Sequence, residues 1–256
     1  MLEKYVPIDY RTWILGDKAR EGINIKKLNL LNQEELGIAN ASISYQDARN
    51  DPGHWEFSTR SALVLLNYLP GKREIAVPTT ICHDIGWYGN DPNAWKALAE
   101  KHKDNLQALE TEDKRRPHQN RGILLTGRIL EQTGYFDKYP LENWLEIADG
   151  IGDHDTKKLP ATENGRILRM SDFLWRATYP VVEIYIPDED VTKTKKRIEE
   201  TCLYEPNSPL GDMGFEIAKL ELANTIYFKF GEEQARQTLG DEYSQELEQI
   251  KAFYNN

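Results

Sequence analysis

Cysteine is scarce in this chain: Cys82 and Cys202 are the only two among 256 residues. Two thiols cannot form a disulfide framework, and the count fits a reducing compartment better than an oxidising one. Cys82 reads as a small buried side chain rather than a nucleophile. Long apolar runs are also missing. No stretch approaches the 18 or so residues a transmembrane helix needs, and Met1–Pro7 lacks the apolar core of a secretory signal. The expected location is cytoplasmic. Positive charge is in deficit, with 32 Lys and Arg against 42 Asp and Glu and a net charge of -10. That balance excludes non-specific nucleic-acid binding and anionic membranes as partners. It leaves open an anionic substrate held by a few local cations or metals. Internal repeats and low-complexity tracts are absent as well, and few alternating strand patterns appear.

What remains is a chain with 39% apolar and 29% charged residues, long enough to bury a core without staples. Helix signals dominate, so the expected class is all-α. After an aromatic opening (Tyr5, Tyr10, Trp13), residues to Asn50 are polar. Asp51-Pro52 combines a cap with a proline suited to the first helical position, and predicts a helix from there to about Leu69. Helices are expected at about Thr79–Trp87 with Thr79 or Thr80 as cap, and at Asp91 to about Leu109 with Trp95, Leu98, Leu106 and Leu109 on its apolar face. Further helices are expected over 118–133, from Pro140 to about Gly152, over Gly165–Thr178, Asp188–Tyr204, Pro209–Phe230 and Glu232–Tyr254. Pro180–Pro187 reads as an extended connector or a helix start.

Histidine is sparse too, and its five positions carry information: His54, His83, His102, His118 and His154. His83 is followed by Asp84, and an imidazole beside a carboxylate can grip a metal ion. His118 heads a stripe continued by Gly122, Leu125 and Ile129, and His154 extends Trp144, Ile147 and Ile151, so both face a bundle interior. Metal sites in bundles are built from residues on facing helices. Asp172 has Leu168 and Trp175 on its own face. An ionised carboxylate there is costly unless it is metal-bound or paired, with Arg169 or Arg176 as the pairing alternatives. His102 sits between Leu98 and Leu106 and competes with His118 for a place in the set.

The order His54, His83-Asp84, His118, His154, Asp172 resembles the H…HD…H…H…D series of the HD-domain superfamily of metal-dependent phosphohydrolases. The context agrees: Arg60 lies six residues after His54, the doublet continues as Ile85-Gly86, and Pro117–Leu125 resembles the third-histidine segment of the two-metal branch. The resemblance covers roughly residues 51–178. It implies an HD-like helical bundle, with residues 1–50 as an N-terminal extension packing on the core and 179–256 as a C-terminal helical extension. It further implies that His54, His83, Asp84 and Asp172 hold one metal, that His118 and His154 hold a second, and that Asp84 bridges them as the catalytic carboxylate. Two departures bear on substrate. Trp87 stands where cyclic-dinucleotide phosphodiesterases of the superfamily have a lysine, and no Gly-Tyr-Pro motif follows His154. Asp153-His154-Asp155 replaces a double histidine, which argues against a third metal.

An all-nitrogen-and-oxygen donor set suits Mn, Fe, Ni, Co, Zn or Mg. Two such ions activate a water and clamp a phosphoryl oxygen, so the expected function is hydrolysis of a small phosphate ester or nucleotide. Arg60, Arg121 and Lys157 are the candidate substrate cations, each close in sequence to a ligand. Their alternative is a solvated surface role, as for the run Lys193–Arg197. The same ligand order also serves di-iron oxygenases of polyols or phosphonates. A metal-containing binding or regulatory module is the third reading, and an oligomer is left open.

Overall fold

The computed structural model of the chain describes residues 5–12, 30–46, 51, 53–88, 115–156 and 160–255. Every regular element among them is helical. In chain order these are α1 (Gln33–Ser42), α2 (His54–Leu65), α3 (Arg73–Cys82), α4 (Arg115–Gln132), α5 (Leu141–Asp153), α6 (Glu163–Leu174), α7 (Tyr179–Tyr185), α8 (Val191–Ile198), α9 (Gly211–Phe230), α10 (Glu232–Leu239) and α11 (Ser244–Asn255), with short 3₁₀ turns between several of them. The expected helix over 91–109, His102 and Lys157 lie outside the described residues.

Several boundaries move, each for a local reason. The helix expected from Asp51-Pro52 starts at His54 with Gly53 as its N-cap, and the side chain of Asp51 accepts a hydrogen bond from the Tyr185 hydroxyl instead of capping it. The helix expected from Thr79 starts six residues earlier and carries Pro78 in its interior. Thr79 and Thr80 do not cap it. Their hydroxyls bond back to the Ile75 and Ala76 carbonyls, at 2.6 and 2.7 Å. An interior proline has no N–H to give the carbonyl four residues earlier. Here the Tyr135 hydroxyl donates to that carbonyl, Glu74 O, at 2.7 Å, which replaces the missing bond. Pro180–Pro187 is the start of a helix, α7, rather than an extended connector. The helix expected over Glu232–Tyr254 is two, broken at Gly240, whose φ of 65° is a backbone state that glycine adopts without strain.

Two apolar cores meet at the centre of the described chain. One lies under α1, α3, α4 and α5, with Ile75, Ile81, Ile85, Leu130, Ile147 and Ile151 fully buried. The other joins α2 and α6 to the C-terminal helices, with Phe57, Leu65, Ile167, Leu174, Leu222 and Ile226 at its heart. The long helix α9 organises this second core, packing against α6, α7, α8, α10 and α11. Residues 5–12 belong to it too, through Tyr5, Ile8 and Tyr10.

That N-terminal segment is locked by one buried carboxylate. Glu221 on α9 accepts hydrogen bonds from the Tyr5 hydroxyl, the Ile8 N–H at 3.2 Å, the Tyr10 hydroxyl at 2.9 Å and Asn224 Nδ2 at 3.0 Å. Arg60 reaches the same segment from α2, donating to the Val6 carbonyl and lying 3.5 Å from the Tyr5 hydroxyl. Burial, and next the charge of Glu221, push both tyrosine hydroxyls well above their ordinary pKa, so they remain donors. Replacing Glu221 with alanine strands two hydroxyls and a backbone N–H in the core. The expected cost is roughly 3–5 kcal/mol, the scale for breaking a buried hydrogen-bonded charge network. It should appear as a lower urea midpoint with the slope unchanged.

Candidate metal centre

The six sequence-selected ligands converge where the two cores meet. They fall into two groups whose donor atoms lie close enough to share an ion: His54, His83 and Asp172, and Asp84, His118 and His154. His54 is the first residue of α2, His118 stands in the first turn of α4, and Asp172 lies near the end of α6. His83 and His154 follow the last residues of α3 and α5 as C-caps. All four histidines are buried.

Helix ends explain the aim of two of these rings. The last carbonyls of a helix lack intrahelical partners. The His83 Nδ1–H donates to the Thr80 carbonyl and the His154 Nδ1–H to the Ile151 carbonyl, each at 2.7 Å. These bonds fix the tautomer and turn the lone pair of each Nε2 inward, the arrangement a metal-ligating histidine needs.

Asp84, a member of the second group, turns one oxygen to the histidines of each. Its Oδ2 is 3.3 Å from His54 Nδ1 and 3.7 Å from His83 Nε2. Its Oδ1 is 3.3 Å from His154 Nε2 and 3.7 Å from His118 Nε2. Asp172 Oδ1 closes the first group, 2.8 Å from His54 Nε2 and 3.5 Å from His83 Nε2. Ligand atoms about 2.1 Å from one ion are separated by about 3.0–3.5 Å when they subtend right to tetrahedral angles. Three of the six spacings, 3.3, 3.3 and 3.5 Å, fall in that range and the others, 2.8, 3.7 and 3.7 Å, lie just outside it; several exceed a good hydrogen bond.

Three observations test whether an ion fits. His83 Nε2 is buried and makes no hydrogen bond, although two carboxylates face it. A buried polar atom left so is costly, and a cation between them removes the cost. The donors are nitrogen and oxygen only, which suits divalent first-row metals. The local field attracts positive charge. Burial opposes the charged form of His54, yet Asp172 and Asp84 raise its pKa to about 10. Burial likewise opposes His154, yet Asp155 and Asp84 raise it to about 9. Burial would raise the Asp172 carboxyl, but the hydrogen bond from His54 and the nearby imidazole of His83 hold it well below the usual carboxylate range. Protons and metal ions compete for the same atoms, and the residues fit a two-metal centre.

Gly86 brings the doublet to α4. Its 3₁₀ turn (Ile85–Trp87) packs directly on that helix. A Cβ at Gly86 would stand 1.8 Å from the His118 carbonyl oxygen and 2.5 Å from the Gly122 backbone nitrogen. Two aromatic rings flank the centre. Trp87 stacks on His118 with centroids 4.0 Å apart and donates its indole N–H to Asp84 Oδ1 at 3.1 Å. Trp175 stacks on His54 at 5.3 Å.

The cations are arranged differently from the sequence expectation. Arg60 turns to the N-terminal segment, and Arg121 donates to the Tyr88 carbonyl at 2.8 Å. Arg176 bonds the Thr201 carbonyl and covers the Phe173 ring. Among the described residues, Arg169, one turn before Asp172 on α6, is a cation that feels the centre: burial lowers its pKa against the pull of Asp155, Asp172 and Asp153. Sequence reasoning also passed over Asp155. Its signal was present, because Asp155 follows His154 as Asp84 follows His83.

No protein-family model matches the chain, and neither a curated protein nor a solved structure matches it. Among the described residues no helix is long and apolar enough to cross a membrane.

If this packing sets the ligand geometry, Gly86→Ala must push the turn off α4 and separate Asp84 from His118. The expected result is a loss of about 1–3 kcal/mol of stability from overpacking, with a fall in bound divalent metal. Thermal melting and elemental analysis of the same preparation check both.

Proposed function

We propose that this chain is an HD-type metal-dependent hydrolase of a small phosphate ester or nucleotide. The observation that carries the reading is Asp84, whose two oxygens each face a separate histidine pair at matched distances. A carboxylate so placed can bridge two ions, and six donors of the right types in the right chain order support the resemblance stated above. Two divalent ions held there supply the charge that brings the pKa of a water toward neutrality and offsets the charge of phosphoryl oxygens.

The protein's own residues supply position and electrostatics. His83 and His154 are held by their helix-end hydrogen bonds, so their Nε2 atoms need no reorganisation on binding. The carboxylates form the more open side, with side-chain exposures of 12% for Asp84 and 20% for Asp172, while His83 and His118 are fully buried. Substrate therefore approaches over the carboxylates. Arg169 flanks that side and offers a guanidinium to a phosphoryl oxygen, a planar two-pronged donor suited to oxyanions. Trp87, in place of a lysine, supports a substrate other than a cyclic dinucleotide.

The test is elemental analysis of the purified chain, followed by a phosphomonoester, phosphodiester and nucleotide panel with Mn, Co, Ni and Mg. Wild type should carry metal and turn over at least one substrate. The His83→Ala, Asp84→Ala double variant should lose metal, and activity by at least about 100-fold, the scale for losing one electrostatic stabiliser. Retention of both metal and activity in that variant would sink the proposal. Oxygen uptake with a polyol or phosphonate, and no phosphate release, would move the assignment to the di-iron oxygenase.

A further inference from the structure

The centre follows one plan twice. In each half a histidine at the start of one helix carries a stacked tryptophan: His54 with Trp175, His118 with Trp87. In each half the next helix ends in a His-Asp doublet, His83-Asp84 after α3 and His154-Asp155 after α5. The two doublet histidines share a backbone conformation, φ -58°, ψ -37° for His83 and φ -60°, ψ -36° for His154. Both bond the carbonyl three residues back at 2.7 Å. Asp84 reaches both halves over 3.3–3.7 Å, although the nearer contact is to the helix-start histidine in the first, through His54 Nδ1, and to the doublet histidine in the second, through His154 Nε2.

One member of the second half has no assigned role. The first histidine pair has a carboxylate of its own in Asp172, whose Oδ1 lies 3.5 Å from His83 Nε2. Asp155 Oδ2 lies 3.5 Å from His118 Nε2 and 3.7 Å from His154 Nε2. We infer that Asp155 is a direct ligand of the second ion, so that the two ions occupy matched sites of two histidines and one private carboxylate, with Asp84 shared. The inference rests on the two-metal reading above and adds to it. Without Asp155 the second site has two imidazoles and a shared oxygen, a softer and less anionic donor set. With it, both sites present the same charge and donor types, and hard divalent ions such as Mn²⁺ suit both.

The test uses the full chain stripped with a chelator and titrated with Mn²⁺, following free Mn²⁺ by electron paramagnetic resonance and bound metal by elemental analysis. Wild type should bind two Mn²⁺ with affinities within about ten-fold of each other. Asp155→Asn keeps the side-chain shape and removes its charge. It should keep one Mn²⁺ at wild-type affinity and weaken the other by more than about 100-fold, beyond the 10- to 100-fold typical of outer-shell partners. The neighbouring Asp153→Asn should bind as wild type does. Two Mn²⁺ at wild-type affinity in Asp155→Asn, or equal weakening of both, overturns the assignment of Asp155 while the two-metal reading stands. A wild type that binds no metal sinks both. Should Asp155→Asn fail to fold, as judged by the melt of the metal-free protein, the wild-type titration decides: a second ion weaker than the first by more than 100-fold overturns the inference.

Discussion

Half-buried carboxylates set against buried imidazoles impose the constraint on which the rest of the centre depends. An ionised group taken out of water costs several kcal/mol unless charge and hydrogen bonds compensate it. Asp84, Asp155 and Asp172 face four buried histidines. Without ions, protons on His54 and His154 supply part of the compensation, which is why their pKa values rise although burial acts the other way. Trp87 supplies another part through its N–H to Asp84. Each device answers the same excess of negative charge, and divalent cations answer it more completely. The histidines form the floor and the partly exposed carboxylates the opening.

The floor is made from helix ends. A histidine at a C-cap satisfies a carbonyl the helix leaves over, and in doing so it points its other nitrogen away from that helix. His83 and His154 both do this, so the features that end α3 and α5 also orient ligands. Gly86 then lets the turn after His83 touch the backbone of α4, which brings His118 within reach of Asp84. The second core holds the other two candidate ligands, because α2 carries His54 and α6 carries Asp172. The Glu221 network secures the N-terminal segment to α9, and Arg60 ties α2 to that segment. Arg60, a candidate substrate cation by position in the chain, is thus held on the structural side of its helix.

The all-α class was legible because it depends on residues near in sequence, through caps and apolar periods, and the six candidate donors, which the fold brings together, were picked out by the family resemblance of their chain order. What was not legible depends on partners distant in sequence. Pro78 reads as a helix breaker until Tyr135, 57 positions later in the chain, is seen to take the freed carbonyl. Thr79 and Thr80 read as caps because their hydroxyls suit that role, yet inside a helix the same hydroxyls bond back to carbonyls. Which arginine faces the centre depends on helix rotation, and that is set by packing. Asp155 is the exception. Its doublet with His154 stood in the sequence and was passed over, because the expected pattern there was a pair of histidines.

Charge accounting ties the centre to the kind of substrate proposed for it. Neutral imidazoles contribute nothing, and the carboxylates of Asp84, Asp155 and Asp172 contribute three negative charges. Two divalent ions would exceed these by one positive charge, before the nearby Arg169, Arg176 and Asp153 are counted. On the proposed reading, with Asp155 as a ligand, that local excess of positive charge suits a phosphate ester, which carries about one to two negative charges near neutral pH, better than a neutral polyol, whose binding would leave the excess in a partly desolvated cleft.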